Sequence, residues 1–449
     1  MDSDRPLEGI AADREQAEKA RPRGVFGRLG RLSTFDSLHV RDYRLLWLGQ
    51  IGSTMGQWMD QVTRGWLIYQ MTGSAVQLGL ATAMRGFPLL IFGVIAGVVA
   101  DRSGRKRLLV IAQFTNAIIN VVLATLVLMH HVHPWHIYVT GFMAGTVQAF
   151  QQPARQTLIS DIVGNKQLVN ALALNSAVLN GSRAIGPAIA GIVIALIGPD
   201  GSYYIQAALY LFATVWTLQM RVPDRAAAGA GKPNESMLSS AKEGLVYVST
   251  HRDLRPLMLL ALGPVMLGFP YTSLMPIFAQ DVLHGGARLQ GLLLTCVGIG
   301  ALGGALTVAS MRRKYAYSWP VIVGATAFGV ALTAFSQSHW VFLSCGLGFI
   351  IGIFSVTYQT QDQTLAQIIA PPRLRGRVMS IWLLNRGLLP VGTLIAGTLA
   401  GVFGGPDALL IMAVSSIAVV WTAVLTAPGF IKLKIELSER TAAGGSLPR

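Results

Sequence analysis

Charged side chains inside long apolar runs are the residues here with chemistry to do, because an ion at the centre of a bilayer costs at least about 2.5–3.5 kcal/mol. Asp60 and Arg64 stand four residues apart in the first such run, acid first, which places them on one helical face in the favourable order. Arg85 lies in the next run. Asp60 comes ten residues before the outer end of its run and Arg85 ten residues after the outer start of its own, so at 1.5 Å per residue both sit about 15 Å deep. The spacing predicts that Asp60 bridges Arg64 and Arg85. Such a cluster serves either as a proton-carrying acid poised between two cations or as a set of charges that only neutralise one another. Arg64, close to Trp66 and Tyr69, has the further option of snorkelling to the outer interface.

Two more arginines lie in apolar runs, Arg183 with Asn180 and Arg386 with Asn385. The fourth run carries Gln148, Gln151, Gln152 and Arg155 around Pro153, and the tenth carries Tyr358, Gln359, Gln361 and Asp362. Arg155 and Asp362, near the inner ends of their runs, are assigned to a cytosolic gate. Four arginines against Asp60 make a cavity attractive to anions if two of them point inward; the alternative is hydrogen bonding to carbonyls of neighbouring helices. The set holds no carboxylate pair and no Ser/His/Asp arrangement, which argues against a membrane-embedded enzyme. His130, His131, His133 and His136 crowd one outer loop beside Trp135. Metal binding or pH sensing is one reading of them, and a solvated loop with an interfacial Trp is the preferred one, so no metal and no cofactor are expected.

These residues require a membrane scaffold to hold them. The chain is 52% hydrophobic and 13% charged with a mean hydropathy of +0.51, a polytopic membrane composition. Twelve apolar spans are predicted at roughly 43–70, 75–100, 107–130, 135–159, 168–197, 202–221, 255–281, 289–311, 318–336, 340–366, 376–403 and 407–427. In a soluble chain the net charge of +15 would suggest nucleic acid. Here the cations collect in the tails and in alternate loops, while the opposite loops hold only Arg288, so both termini are predicted in the cytosol and no nucleic-acid partner is expected. Residues 1–42 read as a polar cytosolic tail without a secretory signal, 43–221 as a first bundle, 222–254 as a linker, 255–427 as a second bundle and 428–449 as a cytosolic tail. In the linker, Met237, Leu238, Ala241, Leu245 and Val248 recur at helical spacing beside Lys242 and Glu243, an amphipathic helix on the membrane surface. Cys296 and Cys345 both fall within spans, so no disulfide framework is expected.

An internal repeat backs the division into six spans plus six. At an offset of 207, Gly145, Gln152 and Gln156-Thr157-Leu158 match Gly352, Gln359 and Gln363-Thr364-Leu365; at 212, Gly79-Leu80 matches Gly291-Leu292. Between the second and third spans, Gly97 to Arg107 reads GVVADRSGRKR. Gly97 and Gly104 permit close approach and a turn, Asp101 is its one acid, and Arg102, Arg105, Lys106 and Arg107 hold the cytosolic side. The loop between the eighth and ninth spans, Ser310-Met311-Arg312-Arg313-Lys314, is a degenerate copy that keeps only the cations.

The Gly-x-x-x-Asp-Arg-x-Gly-Arg-Lys-Arg loop resembles the signature of the major facilitator superfamily. That resemblance implies an all-α membrane protein of twelve transmembrane helices in two six-helix pseudo-symmetric bundles, with a substrate path at their interface lined by the first, fourth, seventh and tenth spans. It implies a gating loop of Gly97, Asp101, Arg102, Gly104 and Arg105, in which Asp101 docks on the N-terminus of the eleventh span near Arg375 and Arg377. The substrate and proton path is assigned to Asp60, Arg64, Arg85, Gln148, Gln152, Arg183, Tyr358, Gln359 and Arg386. Gly186-Pro187-Ala188-Ile189-Ala190-Gly191 resembles the antiporter motif of exporters, with Ala190 and Ser182 in place of two of its glycines. The helix 4 Arg typical of drug/proton antiporters would fall at Gly141, leaving Asp60 as the coupling acid. The run Phe35 to Pro223 resembles the enterobactin-exporter-like secretion carriers of bacteria. The resulting expectation is a monomeric, alternating-access exporter of an anionic or amphipathic small molecule such as a siderophore, proton-coupled, in the lipid bilayer of the bacterial inner membrane. A multidrug efflux carrier is the alternative, with a non-transporting membrane sensor or an embedded enzyme behind it.

Overall fold

A computed structural model describes residues 33–222, 237–310, 315–372, 374–431 and 433–436. Most of the N-terminal tail, the Gly/Ala/Pro-rich part of the linker, the cations at 312–314 and the end of the C-terminal tail lie outside the described residues. Among those described, nine stretches are long and apolar enough to cross a membrane. One of them, Gln167–Leu218, runs to 52 residues and turns at Gly198 (φ 80°), so it supplies two helices. The first helix, Arg41–Thr72, and the fourth, 134–163, fall outside that set; buried polar residues of both reappear in the site below. The architecture is consistent with twelve spans.

The breaks have local causes. Gly73 (φ 58°) ends the first helix, and Ser74 caps the second, Ala75–Arg102, by accepting from the Gln77 backbone N–H at 3.4 Å. Gly164 (φ 62°) and Gly198 divide the long helical run Pro134–Leu218, because a left-handed conformation is open to Gly at little cost. The seventh span, Leu254–Val282, carries Pro264, Pro270 and Pro276 and loosens into π-helical turns at Pro264–Gly268 and Phe278–Val282. The eleventh is interrupted between Arg375–Gly387 and Leu389–Phe403, at Pro390. A short antiparallel ladder ties Tyr315–Tyr317 to Lys434–Glu436, so the C-terminal tail pairs with the loop between the eighth and ninth spans.

The sequence repeat has a structural counterpart. An added Cβ on Gly79 of the second span would stand 2.9 Å from the Cα of Gly397 on the eleventh, and one on Gly191 of the fifth 3.0 Å from the Cα of Gly291 on the eighth. Gly79 and Gly291, matched in the repeat, thus mark the two equivalent crossings between the halves. Gly145 and Gly352, also matched, each press on a backbone carbonyl, of Arg85 and Val297 respectively. Glycine at these points lets backbones approach closely where apolar lipid gives helices no other strong reason to associate.

Core packing differs between the two faces. Towards the His130–His136 loop one apolar core joins both halves, with Trp66, Leu67, Tyr69, Ala75 and Leu78 packed together with Leu274, Ile277, Phe278, Ala396 and Ala400. The Tyr69 hydroxyl donates to Asp281 Oδ2 across the same seam. Towards the linker, each half has its own core: Tyr43, Leu46, Leu109 and Leu158 in the first, Leu254, Leu257, Leu365 and Trp382 in the second. The halves thus share one apolar core on the His-loop side and have separate cores on the linker side. Helix Met237–Thr250 buries Val248 in the second half's core, and its Gly244 packs on the Arg377 backbone, while Leu245 and Val246 remain exposed. The side chains at 237–243, including Lys242 and Glu243, are outside the described residues.

Candidate functional site

Asp60 lies between both arginines, and all three are held in the first half. Its Oδ1 accepts from Arg64 Nη2 at 2.9 Å, Oδ2 accepts from Arg64 Nε at 3.4 Å, and Oδ2 also pairs with Arg85 Nη1. Arg64 turns inward and does not snorkel. Its Nη1 donates to Ile137 O and Thr140 Oγ1, both at 2.9 Å, and lies 3.5 Å from where a Gly141 Cβ would be. The space beside Gly141 that lacks a cation of its own is thus filled by a guanidinium from the first span. With Asp60 and Arg64 each 3% exposed, the cluster is a closed ionic knot in which every Arg64 nitrogen has a partner.

Arg183 and Arg386 are placed differently. Arg183, on the fifth span of the first half, stacks over the Trp58 ring at 5.7 Å; Arg386, on the eleventh span of the second half, stacks over Trp382 at 5.3 Å. Arg386 also donates to Gln359 Oε1 at 2.9 Å and is not buried by protein. Each lies on a span that packs against the other half: a Cβ on Gly298 of the eighth span would stand 2.8 Å from Arg183 O, and one on Gly387, next to Arg386, 2.5 Å from Leu90 of the second. The ion pairs among the described residues are Arg41–Asp42, Arg64–Asp60, Arg85–Asp60 and Arg105–Asp161, so neither Arg183 nor Arg386 is in direct contact with an acid. The Tyr271 hydroxyl of the seventh span, 1% exposed and within the field of Arg183, has no hydrogen-bond partner.

Asp362 is the second buried acid, 2% exposed. Trp382 Nε1 donates to its Oδ2 at 2.6 Å, and Oδ1 is unpartnered. One indole therefore joins the carboxylate through its N–H and Arg386 through its ring face. Tyr358 is buried with its hydroxyl 3.5 Å from Ala261 O, and Gln148 and Gln152 are half-buried on the fourth span. Arg155 stays within its own half, Nη2 donating to Ser53 Oγ at 3.0 Å, so it is not joined to Asp362. That separation fits the separate cores of the two halves on the linker side.

In the loop Gly97–Arg107, Arg105 pairs with Asp161 at the end of the fourth span and Lys106 donates to Met220 O at 2.7 Å. Gly104 starts the third helix and Arg375 is exposed at the start of the eleventh span. The side chains of Asp101 and Arg102, and the surroundings of Gly97, are outside the described residues. In the His130–His136 loop, the His133 backbone N–H donates to His136 Nδ1 at 2.9 Å at a helix start, and Trp135 stacks on His136 at 3.8 Å.

Trp58, Trp382, Tyr271 and Asp161 were not singled out by sequence. The spacing of Trp382 and Arg386, four apart on one helix, carried a readable signal; the other three contacts join distant parts of the chain.

The family described as transmembrane secretion effector matches residues 32–439. The chain belongs to this family of the major facilitator superfamily. It is a multi-pass membrane transporter, not an enzyme. Among curated relatives, the Staphyloferrin A transporter of Staphylococcus aureus is 26% identical over 371 residues, 81% of this chain and 91% of the relative. The multidrug efflux pump Tap of Mycolicibacterium fortuitum is 29% identical over 356 residues, 76% of this chain and 84% of the relative. In fold, the nucleoside transporter NupG superposes with a TM-score of 0.69 at 14% identity, over 86% of this chain and 98% of that one. A bacterial homologue of the lysosomal transporter Spinster, in an inward-facing and unoccupied conformation, superposes at 0.66 with 15% identity, over 90% and 98%.

Proposed function

We propose that this transporter is a monomeric, alternating-access exporter of an anionic, amphipathic small molecule of the siderophore kind, seated in the bacterial plasma membrane with its linker side and both termini in the cytosol. The observation that carries the reading is the division of the four membrane arginines. Asp60 neutralises Arg64 and Arg85, whereas Arg183 and Arg386, in opposite halves, have aromatic backing and make no ion pair, Asp362 lying on the other side of the Trp382 indole from Arg386. A cleft so charged concentrates anions, and the indole faces of Trp58 and Trp382 supply apolar contact for the rest of the ligand. The substrate path in this reading runs through Arg183, Tyr271, Gln359, Arg386, Gln148 and Gln152. The linker side, where each half has its own core, is in this reading the cytosol-facing side, from which substrate loads.

The coupling ion in this reading is the proton, carried by Asp362. Asp60, first in line by sequence, is already matched by two cations, while Asp362 has a free carboxylate oxygen beside the path. In this reading Asp101, with Arg375 and Arg377, is the latch that closes the cytosolic side.

A multidrug reading has one observation in its favour, the buried acid Asp362 beside Trp382, a pairing suited to an organic cation. Binding decides between them: a catecholate siderophore and a cationic dye are titrated into the purified transporter. Siderophore binding that requires Arg183 and Arg386 supports the anion exporter; dye binding that requires Asp362, with no siderophore binding, supports the multidrug carrier.

A further inference from the structure

We infer that the second half holds a site for one anionic phospholipid, of the phosphatidylglycerol kind, in the cavity between the start of the seventh span and the end of the twelfth. The site lies within a single half and stands apart from the substrate reading.

A cavity of about 370 Å³ opens where the seventh span, Leu254–Val282, and the twelfth, Gly405–Leu425, leave the hydrocarbon on the linker side. That volume lies within the range of small-ligand sites, about 300–1,000 Å³. Three elements wall it: the end of the linker helix at Thr250, the turn into the seventh span, and the segment 426–430 that follows the twelfth. Each wall is fixed by its own contacts. His251 Nδ1 accepts from the backbone N–H groups of Asp253 and Leu254, at 3.2 and 3.4 Å, and so shapes the turn. Phe430 is buried in the second half's core, Ser318 Oγ donates to its carbonyl, and the ladder of 315–317 with 434–436 ties down the chain beyond it.

Arg252 and Arg255 both line the cavity. Among the described residues neither is in contact with an acid, although Asp253 lies between them in the chain. Arg252 reaches from the seventh span to the far wall, its Nη2 standing 2.6 Å from where a Gly429 Cβ would be, so only the bare backbone leaves room for the guanidinium. Two guanidinium forks with free N–H edges suit the oxygens of a phosphate diester. The Thr250 and Thr426 hydroxyls already donate to Val246 O and Thr422 O, at 2.8 and 2.9 Å, which leaves them as acceptors for a headgroup that carries hydroxyl donors. Leu259 lies one helical turn beyond Arg255 on the same face and is 39% exposed, and Leu425 at the end of the twelfth span is 73% exposed. The cations therefore stand at headgroup level with uncovered apolar surface beneath them. That arrangement fits an amphiphile whose chains run along the spans and gives a free phosphate nothing beyond the two cations. Two cations with no acid in contact favour a net negative headgroup over a zwitterion.

The test uses the full-length protein, delipidated in detergent, with native mass spectrometry to count bound lipids and thermal unfolding as a second readout. Dioleoyl phosphatidylglycerol and dioleoyl phosphatidylcholine are titrated separately, and glycerol 3-phosphate and inorganic phosphate serve as water-soluble sources of the same anion. One phosphatidylglycerol is expected to bind ahead of all further copies, to raise the unfolding temperature, and to resist competition by either soluble phosphate. Arg252→Gln/Arg255→Gln should weaken that first binding step by about 10- to 100-fold. Arg252→Lys/Arg255→Lys should keep part of it, which separates loss of charge from loss of fold. Arg41→Gln/Arg44→Gln removes the same charge from exposed positions at the start of the first span and should leave the step unchanged. Equal weakening by both Gln pairs would reduce the effect to general surface charge and overturn the site. Phosphatidylcholine bound as tightly as phosphatidylglycerol would overturn the anionic headgroup, and soluble phosphate competing on equal terms with the lipid would overturn the amphiphile.

Discussion

Replacing Asp60 by Asn keeps the size of the side chain and removes the only anion from a buried group of three. In the parent the cluster holds two cations and one anion; in the variant both guanidinium groups face an amide. Breaking a buried pair by removing one partner costs roughly 3–5 kcal/mol. Arg85 has a side chain 17% exposed and recovers part of its hydration, and Arg64, at 4%, keeps Ile137 O and Thr140 Oγ1, so the lower end, about 3 kcal/mol, is the expected loss. Arg85→Gln leaves Asp60 bound to Arg64 and is expected to cost less, about 1.5 kcal/mol. Because the excess cation is the source of the damage, Asp60→Asn/Arg85→Gln should be more stable than Asp60→Asn alone. Unfolding of the four proteins in bicelles gives the cycle directly. Transport by Asp60→Asn, per folded molecule, should still respond to the proton gradient. Parent-like stability in Asp60→Asn together with loss of that response would show that Asp60 carries the proton and refute the reasoning.

Asp362→Asn should leave binding of the anionic substrate in place while transport becomes insensitive to an imposed pH gradient, measured in proteoliposomes; a parent-like response would remove Asp362 from the proton path. Tyr69→Phe breaks the bond to Asp281 that spans the sealed side, so labels across that seam should populate a longer distance, and an unchanged distribution would mean the apolar core alone holds it. Gly79→Ala puts a Cβ 2.6 Å from Thr393 O and should cost about 1–3 kcal/mol of packing, felt in the sealed state and read as a shift towards opening on the His-loop side. Asp101→Asn should slow transport strongly with membrane insertion intact; parent rates would end its role as a latch.

Much of the scaffold was legible because the bilayer enforces it. Apolar length, alternate basic loops and the repeat of Gly79 at Gly291 all reflect constraints that act on short stretches, and the repeat reappears as two matched helix crossings. The Asp60–Arg64 pair was legible for the same reason, being one turn of one helix. Arg64's other partners, Ile137 and Thr140, were not, since only the packing of the first span on the fourth brings them near. Arg183 on Trp58 joins the fifth span to the first, and Asp362 with Trp382 joins the tenth to the eleventh; no periodicity records either. The sequence reading preferred a solvated loop for the histidines, and the His136 bond to the His133 backbone N–H at a helix start is a local contact that composition does not record. Which arginines make ion pairs and which do not is a property of tertiary packing, and it is the property on which the functional reading turns.

The most direct measurement of that reading is the affinity of a catecholate siderophore for the purified transporter and for Arg183→Gln/Arg386→Gln, with a cationic dye titrated in parallel. The account predicts that the parent binds the siderophore, that the double variant loses it by at least about 100-fold, and that dye binding is no weaker in the variant. Siderophore affinity unchanged by removal of both arginines would contradict it.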